Sequence, residues 1–257
     1  KSKFIDVSKQ IIFNLSCSIF ASISFSIFSI KLLYSISIIF LNDNEIDCCI
    51  KFACSSDASL NNVITGASLN TRYELVMNNN ERTKYGTRRK RGFRVNVAPC
   101  YNPSGKWGAQ IVMRVIPWEV PTIEKVLLIP ELLQYCTPPD GIVYVAGKTG
   151  SGKSTTIAAI IRYVLENETP IRGNLVTHEE PIEYLFDEIE SKHSVIAQSQ
   201  IPEHFKDFDS ANREAMRRVP SLVFLGEMRD KPSVNAGVNI SLSGHTAMGT
   251  IHASTVS

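Results

Sequence analysis

Residues Gly147 to Ser154 read GKTGSGKS, which is G-x-x-x-x-G-K-[ST] without a mismatch. The segment lies between an apolar run, Gly141 to Ala146 (GIVYVA), and a stretch with helical periodicity from Lys153 to about Leu165. A strand that turns through glycines into a helix makes a cavity for phosphate. The glycines let successive backbone N–H groups point inward, and the start of the helix adds the positive end of its dipole. Gly147, Gly150 and Gly152 supply the turn, and Lys148, Thr149, Ser151 and Thr155 belong to the same nucleotide-binding set. Lys153 is expected to set its ammonium against the β- and γ-phosphates of ATP, and the Ser154 hydroxyl to enter the shell of Mg²⁺. GIVYVA reads as a short buried strand.

Two further segments supply carboxylates. In Leu175 to Tyr184 (LVTHEEPIEY) an apolar strand delivers Glu179, Glu180 and, past Pro181, Glu183. In Leu222 to Asp230 (LVFLGEMRD) another presents Glu227, with Arg229 and Asp230 behind it. Strands alternating with helices predict a parallel α/β sheet, whose strands deliver their carboxyl ends to one edge. Both clusters can then converge on the nucleotide, as candidates to hold Mg²⁺ and orient water. A solvated loop carboxylate is the plain alternative for any glutamate. Glu227 departs from it most, because it follows four apolar residues and a glycine. Ser243 to His252 (SGHTAMGTIH) carries His245 and His252 without an acidic or Cys ligand close in sequence. This favours sensing or positioning phosphates over binding a metal.

The remaining chain bounds the partners. With 257 residues, 44% apolar and 20% charged, there is core enough for one large or two smaller domains. A formal net charge of +2 gives no long-range field to collect polyanions. The cysteines Cys17, Cys48, Cys49, Cys54, Cys100 and Cys136 form no CxxC pair, and read as reduced thiols of a cytoplasmic protein. Ile11 to Leu41 is Ile, Phe and Ser with Lys31 its only charge. Three readings compete for this leader: a membrane span over Gln10 to Ile30, a signal peptide behind Lys1 and Lys3, or a stretch not native to the protein. The alternation of Ser22, Ser24 and Ser26 with Ile23, Phe25 and Ile27 speaks against a span. Arg72–Met77, Phe93–Tyr101 and Ala109–Ile116 predict an antiparallel meander, with a turn at Asn102 to Gly105. Pro117, Pro121, Pro130, Pro138 and Pro139 punctuate a connector with one short predicted helix, Ile123 to Leu128. The expected divisions are a leader over 1–50, a small domain over 57–117, a linker over 118–140 and a phosphate-loop domain over 141–257.

In order, GKTGSGKSTT, THEEPIEY, GEMRD and SGHTAMGTIH resemble the four boxes of the type II/IV secretion ATPase superfamily, which includes pilus retraction motors and traffic ATPases. These are its Walker A, Asp, Walker B and His boxes, and the resemblance covers about residues 57 to 257. FRVNV at Phe93 and the IVMRVIPWEVPTIEKV stretch look like the end of its PAS-like N-terminal domain and linker. Within the family the stretch from Ser194 to Asp230 looks most like the Dot/Icm-type and conjugative-transfer ATPases of type IVB secretion. The resemblance implies a RecA-like P-loop core with a parallel-rich sheet, preceded by a small α+β PAS-like domain. It also implies a homo-oligomeric hexamer at the cytoplasmic face of the bacterial inner membrane, with secretion-system components as partners and ATP with Mg²⁺ as cofactors. No small-molecule substrate beyond ATP and no specific nucleic acid are expected. By carry-over Glu227 activates water or serves the Mg²⁺ side, Glu179 is the Asp-box partner, and His245 and His252 are the His-box pair. Arg94, Arg114, Arg217 and Arg229 match arginines near the family's motifs. Glu180 stands where many members have Asp, and His178 replaces a usual apolar residue. Family members continue past the His box with a helical region, so a fragment is expected.

Arg82, Lys84, Arg88, Arg89, Lys90, Arg91 and Arg94 run together with Tyr85 and Phe93 among them. A single-stranded nucleic-acid track on a RecA-like motor is the competing reading. Near-neutral net charge and the secretion-type boxes favour a charged hairpin or trans-acting arginines instead. A third reading is a nucleotide-binding chain that does not turn over.

Overall fold

The computed structural model describes residues 4–5, 11–13, 36–37, 65–76, 90–101, 107–117 and 119–253. The chain divides into two compact units, Lys1–Ile116 and Pro117–Ser257.

The first unit holds an antiparallel sheet of β2 (Ile11–Phe13), β6 (Trp107–Val115), β5 (Lys90–Tyr101) and β4 (Leu69–Val76), in that order. A separate pair is formed by β1 (Phe4–Ile5) and β3 (Ile36–Ser37). Alternation explains the long strands. Phe93, Val95 and Val97 are buried on one face of β5, opposite Val115, Met113 and Ile111 of β6. Their neighbours fall on the other face, where Arg72, Arg94 and Arg114 stand directly opposite one another across β4, β5 and β6. Like charges so aligned oppose pairing. Arg72 is offset by Glu74, 3.1 Å away. The predicted turn at Asn102 to Gly105 and the basic residues Arg82 to Arg89 lie outside the described residues. So does most of Gln10 to Ile30, and no helix among the described residues is long and apolar enough to cross a membrane.

The second unit is a five-stranded parallel sheet in the order β7-β11-β10-β8-β9. The strands are β7 (Gly141–Gly147), β8 (Gly173–Glu179), β9 (Ser194–Gln200), β10 (Pro220–Leu225) and β11 (Thr246–His252). Period-two alternation sorts the two faces. Leu175, Leu222, Phe224 and Met248 pack with helix α2 (Lys153–Glu166). Val176, Val223, Leu225 and Ala247 pack on the other side, with Ala215 of α3 (Phe208–Ala215) and Ile240 of α4 (Lys231–Leu242). Helix α2 forms because Ile157, Ile160, Ile161, Val164 and Leu165 recur at helical spacing, and all are buried against the sheet.

Two expectations are corrected. Ile123 to Leu128 is an irregular turn and not a helix: Val126, Leu127 and Leu128 donate to the carbonyls of Thr122, Glu124 and Ile123, three different spacings. Six residues between prolines are too few to repay helix nucleation, and burial of Val120 and Ile123 in the α2 cluster fixes the path instead. The helical turn comes later, as a 3-10 turn at Pro130–Leu132 running into α1 (Leu133–Cys136). GIVYVA is a strand but not a buried one. Among the described residues β7 pairs only with β11, and Tyr144 is 38% exposed. An edge position buries one flank only, which a run of apolar letters does not reveal.

The α2 cluster sets the stability of this unit. Ile160 is 1% exposed and Leu242 80% exposed. Ile160→Ala is expected to cost roughly 2–5 kcal/mol and Leu242→Ala no more than about 0.5 kcal/mol, read as urea-unfolding free energies.

Candidate nucleotide site

Because all five strands are parallel, the segments leaving β7, β8, β10 and β11 emerge at one edge of the sheet. The loop after β7 keeps its glycines for stated reasons. Gly150 (φ 78°) and Gly152 (φ 90°) occupy the left-handed region, and a Cβ on Gly147 would lie 2.7 Å from Ser151 Oγ. Helix α2 begins at Gly152 without a side-chain cap, whereas α3 and α4 are closed by Asp207 with Ser210 and by Asp230 with Ser233. The uncapped N–H groups of α2 are those an anion can use. Asp230 is thereby a helix cap, and the bonds from Ser233 hold its carboxyl below the ordinary range.

Lys153 is buried at the first turn of α2, and its ammonium donates to the carbonyls of Gly147 and Lys148, both at 3.0 Å. His252, at the end of β11, stands beside it, with Nδ1 3.4 Å from Lys153 Nζ and 3.3 Å from Thr149 Oγ1. Its Nε2 is 3.0 Å from Glu227 Oε1. An ammonium only donates, so Nδ1 must accept and Nε2 must carry the proton given to Glu227. One imidazole therefore joins the phosphate loop to the carboxylate after β10. The other oxygen of Glu227 is 2.6 Å from Arg229 Nη2. The turn carrying Glu227 is fixed to β11, since Thr250 Oγ1 donates to the Gly226 carbonyl (2.6 Å) and the Met228 N–H to the Thr250 carbonyl (2.9 Å).

Glu179 ends β8, beside that turn. The Gly226 N–H donates to the His178 carbonyl at 2.8 Å, and a Cβ on Gly226 would come within 3.2 Å of Glu179 Cα, so glycine admits the close approach. Glu179 is buried, and its Oε1 accepts from Thr177 Oγ1 (2.8 Å) and Gln198 Nε2 (3.4 Å). Desolvation pushes its carboxyl up to about 7, outweighing the donors from Thr177, Gln198 and the Glu183 backbone. Tyr184, on the segment after β8, meets Thr155 Oγ1 through its hydroxyl at 3.2 Å.

The structure thus brings together Gly147, Lys148, Thr149, Gly150, Ser151, Gly152, Lys153, Ser154 and Thr155 with His252, Glu227, Arg229 and Glu179. It does not unite the two histidines. His245 precedes β11 at the opposite edge, where its carbonyl accepts from the Gly141 N–H at 3.3 Å. A strand of this length separates the two by roughly 20 Å, so one ion cannot be shared. Arg217 precedes β10, again at the opposite edge, and pairs with Glu214. Arg114 and Arg94 belong to the first unit. Thr177, Tyr184, Gln198 and Thr250 were not apparent from sequence; the one signal was Gln198-Ser199-Gln200, two glutamines on one face of an otherwise apolar strand run.

A parallel sheet with a glycine-rich phosphate loop at its carboxyl edge, and acidic residues after neighbouring strands, is a RecA-like P-loop core. The family model described as type II/IV secretion system protein matches residues 35–257. The chain belongs to that family. The X-ray structure of the ATPase DotB from Yersinia pseudotuberculosis is 41% identical, with a TM-score of 0.70 over 96% of this chain and 61% of that one. A crystal structure of the pilus retraction motor PilT with bound ADP is 28% identical, with a TM-score of 0.65 over 88% of this chain and 60% of that one. A twitching motility protein of Neisseria gonorrhoeae is 37% identical over 161 residues, 62% of this chain and 40% of its own. The chain therefore spans less than two thirds of the length of these relatives.

Glu179 makes stability depend on pH in a defined direction. Its folded-state value of about 7 lies above the ordinary 4.5, so the native chain holds a proton that the unfolded chain has released. Stability then falls as pH rises from about 4.5 and levels off above about 7. Glu179→Gln is neutral throughout and lacks this fall. Urea unfolding at about pH 5 and about pH 8 is expected to show the variant gaining on the parent at the higher pH, by on the order of 1–3 kcal/mol.

Proposed function

We propose that this chain binds Mg-ATP on the Gly147–Thr155 loop and hydrolyses it, as the motor core of a type IV secretion machine of the type IVB or conjugation-like kind, or of pilus dynamics. The observation that carries the reading is the continuous set Lys153–His252–Glu227–Arg229, which links a phosphate loop to an acidic turn. Family membership supports the secretion setting.

The donor set fits the nucleotide and its ion. Lys153 has only main-chain carbonyls and an imidazole to leave when phosphate oxygens arrive. Ser154 and Glu227 offer the hard oxygens that Mg²⁺ takes, and the ion would supply neutralisation of charge on the phosphate oxygens. Glu227, held by Arg229 and His252, orients the attacking water. Glu179, with an affinity for protons suited to neutral pH, accepts the proton that the water gives up. Arg229 stabilises the transferring phosphoryl charge. A homo-hexamer docked on inner-membrane secretion components at the cytoplasmic face completes the reading.

Steady-state ATP hydrolysis tests it, with Lys153→Ala and Glu227→Gln measured beside the parent and the oligomeric state recorded in the same samples. Both substitutions are expected to lower turnover by at least about 100-fold. Only Lys153→Ala is expected to abolish nucleotide binding. Turnover that neither substitution changes would remove the site from the reaction.

A further inference from the structure

Strand β9 reads SVIAQSQ, and its last polar residues face the segment that follows Glu179. Gln198 and Gln200 are two apart and share a face. Gln200 Oε1 accepts from the Ile182 N–H at 3.2 Å, while its Nε2 donates to Glu203 Oε2 at 2.7 Å. Gln198 Oε1 accepts from the Phe186 N–H at 2.9 Å, and its Nε2 donates to the Tyr184 carbonyl at 2.8 Å. The same Nε2 donates to Glu179 Oε1 at 3.4 Å. The two amides therefore bond the backbone of residues 182–186, which belong to no strand among the described residues.

We propose that Gln198 is a positioning residue for Glu179, fixing both the orientation of its carboxylate and the path of the segment that ties it to the phosphate loop. The inference rests on the reading of Glu179 as the proton acceptor. Its first support is that the amide cannot turn over. An exchanged oxygen and nitrogen would set NH₂ against the Phe186 N–H and oxygen against the Tyr184 carbonyl. The N–H aimed at Glu179 is thus held by two backbone groups of opposite kind. Its second support is convergence, since Thr177 Oγ1 and Gln198 Nε2 both donate to Oε1 of Glu179 and fix the plane of the carboxylate. Its third is continuity: Tyr184, whose carbonyl Gln198 holds, reaches Thr155 of the loop helix with its hydroxyl. Glu183 is the other charged group acting on Glu179; its charge favours the protonated carboxyl and its backbone bond the ionised one. Gln198 adds to the second side.

The full chain is tested as Gln198→Met, with Gln200→Met as the control that loosens the same segment without touching Glu179. ATP turnover is followed against pH. Gln198→Met is expected to lower kcat by roughly 10- to 100-fold, with KM for ATP changed by less than about threefold and the acid limb of the profile moved to higher pH. Gln200→Met is expected to leave that limb in place. An unmoved limb in Gln198→Met, or equal movement in both variants, overturns the inference. Should Gln198→Met not fold, Gln198→Leu, which likewise removes the donor to Glu179 and adds no charge, is expected to move the limb the same way. A parent without turnover counts against the proposed function and leaves a second readout of the inference. In that case the pH above which the melting difference between Glu179→Gln and its background stops growing is compared with and without Gln198→Met. A rise in that pH supports the positioning role, and coincidence overturns it.

Discussion

The parallel register of β11 between β7 and β10 is the constraint on which the site depends. Thr246 pairs with Gly141 and His252 with Gly147, so the last residue of β11 arrives beside the first residue of the phosphate loop. On its other flank β11 pairs with β10 from Leu222↔Thr246 to Leu225↔Gly249. This leaves Thr250 to hold Gly226 and Met228, and hence Glu227. A slip of one residue would reverse the faces of the strand and send His252 away from both neighbours. Ala247 and Met248, fully buried on opposite faces, hold the register against such a slip. The hydrophobic core thus sets the chemistry by fixing which atoms reach the carboxyl edge.

Sequence showed the parts of this arrangement whose residues are local in the chain. GKTGSGKS carries its own geometry, and its neighbouring strand and helix were readable from apolar spacing. Glu227 was readable because a carboxylate directly after LVFLG has little reason to be there without a partner. Other features depend on tertiary placement. His245 and His252 lie in one short segment, yet extended backbone carries them to opposite edges; in a helix the same letters would have been two turns apart. GIVYVA and LVFL are equally apolar, but β7 is at an edge and β10 at the centre, because strand order is set by the crossovers and not by composition. The Ile123–Leu128 stretch followed the packing of Val120 and Ile123 rather than its helix propensity.

The polar residues of β8 and β9 were hardest to read because each finds its partner far along the chain. Thr177, His178 and Glu179 are consecutive polar residues and all buried, on a strand whose two faces are both covered. Thr177 and Glu179 bond to each other; His178 turns to the other face and meets Asn212 of α3 at 3.0 Å. Phe205 packs edge-on against the imidazole, and Arg218 lies over the Phe205 ring. Burial pushes the affinity of His178 for protons down, the bond to Asn212 opposes this, and Arg218 adds to the lowering. Each buried polar group that is incompletely matched costs on the order of 1–3 kcal/mol. Among the described residues His178 Nε2 and Asn212 Nδ2 have no hydrogen-bond partner.

That cost falls at the end of β8 that carries Glu179. A carboxylate in water would release its proton too early to act as a base at neutral pH, and one buried without donors would hold it too tightly. Glu179 lies between these limits because desolvation is opposed by three donors from three places: β8 itself, β9 and the segment after Pro181. None of the three is in the phosphate loop. The loop instead meets this network at one point, Thr155 to Tyr184, and meets Glu227 at another, through His252. Lys153 is thus linked to Glu227 through His252, and α2 to the segment after Glu179 through Thr155 and Tyr184.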